Sequence, residues 1–237
     1  MRFSIRGILT GAVNVAVLLT ISAVSAPAQK NSRTADAARH ASTAAKTFTE
    51  IMNVRDKAIP KELLDKAEAI AIFPGVIKAA FIVGGRGGQG LIAKRVRRGW
   101  SAPAFFNISG GSFGAQIGAQ KNDYVFLIMN EEGLKGLLED KFEMGGEAGV
   151  VAGPIGREVA ASTNTTLDAG ILSYSRSKGA FIGAALKGAV ISPDNDLNEA
   201  IYGMKATQVL TGQPMPLSKM PPGVRILPRT LARYSVR

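Results

Sequence analysis

The chain has no cysteine among its 237 residues. Disulfides, thiolate chemistry and cysteine-ligated metals are excluded, as is the lipid anchor that bacterial lipoproteins carry on a cysteine. There is one histidine, His40. A lone imidazole does not make a His-ligated metal cluster, and it reads as a surface residue rather than a triad base. Aromatics are scarce at 6%, with a single tryptophan. Acids are also in deficit: 18 Asp+Glu face 29 Lys+Arg, for a net charge of +11. That excess favours anionic surfaces, whether lipid headgroups, nucleic acid or an acidic partner, without choosing among them.

The N-terminus narrows the choice. "MRFSIRG" holds two arginines and no acid, and an uncharged apolar run follows to Ala26. Ala26 and Ala28 are small residues at the −3 and −1 positions before Gln29. The pattern reads as a secretory signal peptide cut after Ala28, in preference to an uncleaved membrane anchor. The expected location is a bacterial periplasm or the exterior, with peripheral membrane association open. Export argues against nucleic acid as a partner and against nucleotide cofactors; no cofactor is expected.

Four segments follow from composition: a leader (1–28), an N-terminal helical segment (29–58), a main domain (59–212) and a basic, proline-rich tail (213–237). In the helical segment Ala41, Ala44, Ala45, Phe48 and Met52 make a narrow apolar stripe. Such a stripe suits a helix packed on its own domain, or one lying on a membrane with Phe48 at the interface. Residues 58–69 read as a second short helix, with Pro60 near its start. Beyond Glu68 come short strand-like apolar runs broken by glycine, the first ending at the turn signal Pro74-Gly75. Asn130 followed by two glutamates marks a helix start. Ser192 is expected to cap a last helix running to about Met204. Asp194 and Asp196 then favour its dipole, rather than forming a calcium loop. The tail, with five prolines after Gly212, is expected to be extended or disordered.

Gly85-x-Gly87-x-x-Gly90 spells a dinucleotide fingerprint, but the fingerprint works only where the glycines lead into a helix. Here "LIAKRVRRG" follows, and 101–121 contains no acid to hold a ribose hydroxyl. The glycines therefore read as a turn joining two strands, with Arg86 at its apex. Glycine or alanine also alternates with apolar residues in "GGSFGAQIGAQ", "GGEAGVVAGPIG" and "GAFIGAALKG". Repeated strand glycine implies closely crossing strands in a curved or barrel-like sheet.

The run "IPKELLDKAEAIAIFPGVIKAAFIVGGRGGQGLIAKR", with "GWSAPAF", "GGSFGAQIGAQKNDYVFLIMN", "GGEAGVVAGPIGR" and "YSRSKGAFIGAALKGAVI", resembles the SYLF domain family across about 59–212. That family is also known as the actin-binding module of certain yeast endocytic proteins. The resemblance implies an α+β fold with a glycine-rich, mostly antiparallel sheet, N-terminal helices and short additional helices. It also implies a non-enzymatic module that binds phosphoinositides or other anionic lipids, and in some eukaryotic members actin. For an exported bacterial chain, anionic phospholipid at a membrane surface is the property that carries over, and actin is not an expected partner.

The candidate headgroup ligands are Lys78, Arg86, Lys94, Arg95, Arg97, Arg98, Arg157 and Lys178, since Lys and Arg suit phosphate oxygens. Strand alternation turns Lys94 away from Arg95 and Arg97, so the cluster is one-sided only in a turn. Trp100 beside it suits a membrane interface or the core. Two other readings stand beside lipid binding. One is docking on an envelope protein or anionic wall polymer. The other is a hydrolase built on carboxylates such as Glu131/Glu132 and Glu139/Asp140.

Overall fold

A computed structural model describes residues 26–54, 58–81, 83–113, 118–145, 149–155, 169–177, 180–183, 186 and 188–235. Arg157, Lys178 and almost all of the expected leader lie outside these residues.

The chain opens with helix α1 (Ala26–Met52) and a short α2 (Lys61–Lys66). Strands β1 (Ala69–Phe81), β2 (Val83–Val96), β3 (Gly99–Trp100), β4 (Ala104–Phe113) and β5 (Gly118–Ile128) follow. After α3 (Glu131–Leu137) come β6 (Phe142–Met144), β7 (Val150–Ala152), β8 (Ile171–Ser177), β9 (Ala180–Gly183) and β10 (Ala189–Pro193). Helices α4 (Asn195–Tyr202), α5 (Ala206–Thr211) and α6 (Ile226–Tyr234) complete the fold. The strands form one sheet in the order β6-β10-β4-β2-β1-β5-β8-β7, with β3 on β2 and β9 on β8. Among the described residues every pairing is antiparallel except β7 with β8, and the sheet curls nearly into a barrel. The expected α+β class and curved sheet are what the chain builds.

The centre of the sheet is buried on both faces. Ile70 to Phe73 of β1 and Val125 to Ile128 of β5 are at most 1% exposed. Strands covered on both sides read as continuous apolar runs, which is why "AIAIF" and "VFLI" show no alternation. One face is covered by α1, whose Ala37, Ala41, Ala44, Phe48 and Ile51 are fully buried. The alanine seam lets the helix approach closely, while Phe48 and Ile51 supply apolar area worth about 1.5–3 kcal/mol each.

Three local expectations are corrected. Pro74-Gly75 does not end β1; it makes a one-residue bulge, visible as a register shift against both β2 and β5. A bulge tolerates proline's missing N–H. Gly75 takes φ 63° and donates its N–H to Asp123 Oδ1 at 2.7 Å. Second, Gly85, Gly87 and Gly90 lie inside β2, and the hairpin closes beyond them at Phe81↔Val83. The need for glycine at position 90 is steric, because a Cβ there would run into the Phe73 ring and the Ile72 carbonyl. Third, Asp194 rather than Ser192 caps α4, accepting from Leu197 N at 3.1 Å.

The largest difference is the tail. Met220, Val224, Leu227 and Leu231 are at most 1% exposed and join the same core as the sheet. A 3-10 turn (Pro222–Arg225) and α6 pack on α1, with Phe48 and Tyr234 edge to face at 5.6 Å. Pro228 is the third residue of α6, where its missing N–H removes no intrahelical bond.

Candidate functional site

The basic run after β2 is split by the fold. Arg95 points inward. Its Nε donates to Ala67 O at 2.9 Å, and Nη2 donates to Leu64 O at 2.6 Å and Ser235 Oγ at 2.8 Å. The guanidinium lies 4.2 Å from the Trp100 ring centroid, a cation–π contact. Trp100 is 5% exposed and donates from Nε1 to Ser235 O at 3.2 Å. These two side chains tie the C-terminus to α2 and β3. Asp65 accepts from Ser235 Oγ at 2.7 Å in the same knot, and the Lys61 ammonium beside it holds its carboxyl below the usual range. Phe48 is 0% exposed and Trp100 only 5%, so the exposed membrane-interface role expected of them is corrected: Phe48 packs in the core, and Trp100 is nearly buried with only a small part reaching the surface.

Lys94 faces the other way. It lines a groove of about 890 Å³ that also carries Glu131, Glu132, Glu139 and Glu143 with Lys135 and Lys141. All four glutamates are exposed. Among the described residues no group of His, Asp and Glu could hold a metal.

Lys78 and Arg86 are register partners on β1 and β2, so they share one face of the sheet. Arg86 Nε is buried with no hydrogen-bond partner among the described residues. Arg86 precedes Arg97, in the turn after β2, by eleven residues, a chain contour of up to roughly 36 Å at strand rise. Among the described residues, the candidate cations therefore do not form one continuous face.

One place where cations meet apolar surface involves the tail. Arg97 and Arg98 form the two-residue turn between β2 and β3, and both are exposed. Arg229 on α6 stands with them around a cavity of about 600 Å³. Its floor is Trp100, Met215, Leu217 and Met220, with Pro214, Pro216 and Pro228 in the walls. Leu217 is 41% exposed. Among the described residues no acid lines the cavity. Its tail side is braced by Arg225, which donates from Nε to Met220 O at 2.7 Å and from Nη2 to Ser218 O at 2.9 Å. Arg97, Arg98 and Trp100 stand out in the sequence, whereas Arg229, Met215, Leu217 and Met220 do not, because the prolines of the tail suggest extended or disordered chain.

A family model described as Ysc84, Las17-binding protein actin regulator, matches residues 109–234, from β4 to the end of α6. The chain belongs to the Ysc84 family. This is the SYLF resemblance read from the sequence, and the family is one of binding modules rather than an enzyme class. LAS seventeen-binding protein 3 of Saccharomyces cerevisiae S288c is 34% identical over 185 residues, covering 76% of this chain and 40% of its own length. Protein YSC84 of the same yeast is 36% identical over 182 residues, covering 74% and 38%. The human SH3 domain-containing YSC84-like protein 1 is 32% identical over 181 residues, covering 74% and 53%. The chain thus spans between 38% and 53% of these Ysc84 relatives.

Proposed function

We propose that this Ysc84-family chain is an exported binding protein that associates peripherally with anionic phospholipid surfaces, and that Arg97, Arg98 and Arg229 are its main headgroup contacts. The observation that carries the reading is the acid-free arginine rim beside an exposed apolar floor. Arginine binds phosphate oxygens with a planar fork of donors, and near an anionic bilayer each cation is worth about 1 kcal/mol. Export rests on the leader-like residues 1–28.

Flotation with phosphatidylglycerol-containing and with purely zwitterionic vesicles tests the proposal. Binding only to the anionic vesicles, weakening with salt, is expected. Equal binding to both at low salt sinks it. The relatives' descriptions favour a second reading, since they name protein targets. On that reading the same rim docks an acidic protein of the envelope. Retention of such a protein from lipid-free envelope extract, lost when the three arginines are replaced, would support it.

A further inference from the structure

We infer that the cavity between the β2–β3 turn and the tail holds one acyl chain, so that its ligand is a single-chain anionic amphiphile rather than a headgroup alone. The inference rests on the membrane reading above and deepens it. A site for phosphate alone needs cations and hydrogen-bond donors, and no apolar floor. Here the rim carries three arginines and no acid, while Met215, Leu217 and Met220 offer sulfur and hydrocarbon below it. Met fills irregular apolar space adaptably, which suits a flexible chain. The volume, about 600 Å³, lies within the range of small-molecule pockets.

The cavity is also built rather than incidental. Trp100 is fixed from beneath by Arg95 and from its edge by the Ser235 carbonyl. Arg225 holds the carbonyls of Ser218 and Met220, and so sets the backbone on both sides of Lys219. Prolines at 214, 216 and 228 stiffen the walls. Leu217 remains 41% exposed, one of four large apolar side chains that do so among the described residues, with Ile77, Ile182 and Ile226. Charge and apolarity are arranged as in an amphiphile, with anion at the mouth and hydrocarbon within.

The test uses protein purified from the envelope of expressing cells, its N-terminus read by mass spectrometry. Comparisons among variants then cancel any contribution from residues 1–28. Octyl, decyl and dodecyl phosphate are titrated below their micellar concentrations. Trp100, the only tryptophan in the chain, provides a fluorescence readout at the site, with calorimetry alongside. Saturation at one amphiphile per chain is expected, tightening roughly fourfold per methylene, or about fifteenfold from octyl to decyl. Leu217→Asn should flatten that slope. The double variant Arg97→Gln, Arg98→Gln should weaken all three ligands by one common factor.

Affinity independent of chain length overturns the inference. So does inorganic phosphate binding as tightly as decyl phosphate, or a polyglutamate peptide competing as well as dodecyl phosphate, which would mark a protein-docking groove. Vesicle binding without alkyl phosphate binding sinks the inference and leaves the membrane reading standing. Alkyl phosphate binding without vesicle binding does the reverse.

Discussion

Replacing Leu231 by alanine tests whether the proline-rich tail is part of the folded domain. Leu231 is fully buried on α6 and belongs to the core that contains the sheet and α1. Truncation removes three carbon atoms and leaves a cavity that close-packed neighbours fill only in part. Such changes cost about 2–5 kcal/mol. At a typical sensitivity of about 2–4 °C per kcal/mol for a chain of this size, the melting midpoint should fall by roughly 4–20 °C. Leu217, 41% exposed in the same tail, is the control, since Leu217→Ala should stay within about 0.5 kcal/mol. Urea denaturation followed by circular dichroism, with thermal melts, measures both. If Leu231→Ala melts like the parent, the tail contributes no core, and the arginine-rimmed cavity loses one of its walls.

Three further outcomes are expected. Arg95→Met should cost about 2–4 kcal/mol in urea melts, because it strands the acceptors at Leu64, Ala67 and Ser235, whereas Arg97→Met should be nearly neutral. Gly90→Ala should cost about 1–3 kcal/mol, since the new methyl meets the Phe73 ring and the Ile72 carbonyl; an unchanged midpoint would contradict the close crossing there. His40 is held below its usual value of 6.5, first by burial and then by Arg39. The unfolded chain therefore binds the proton more readily, so this residue's share of stability is present above about pH 6.5 and is lost as pH falls from there through the lowered folded value. The faces packed on it carry Asp36, Asp194 and Arg39, and midpoint-against-pH curves for the parent and His40→Gln should diverge in this direction.

Much of the fold was legible because it depends on patterns local to the chain. The apolar runs in β1 and β5, the alanine stripe of α1 and the Asn130 cap each carry their own period or punctuation. What was illegible depended on partners far along the chain. Pro74-Gly75 reads as a turn in isolation, but in the fold it is a bulge whose Gly75 N–H is taken up by Asp123, far along the chain on β5. In the tail, Met220, Val224, Leu227 and Leu231 recur at helical spacing. The prolines hid that period, although Pro221, Pro222 and Pro228 fall where a missing N–H costs little. The candidate site was half visible for the same reason. Arg97 and Arg98 stand out as a basic pair, but nothing local announces that Arg229 joins them. Nor does composition reveal that Arg95 turns inward to the carbonyls of Leu64 and Ala67.

The most direct measurement is the partitioning of the triple variant Arg97→Gln, Arg98→Gln, Arg229→Gln onto phosphatidylglycerol vesicles, set beside the double variant Lys78→Gln, Arg86→Gln. At about 1 kcal/mol per cation, the triple variant should bind up to roughly 150-fold more weakly than the parent, while the double variant remains close to it. Undiminished binding by the triple variant would contradict the account, and a larger loss from the double one would move the contact to the Lys78–Arg86 end of β2.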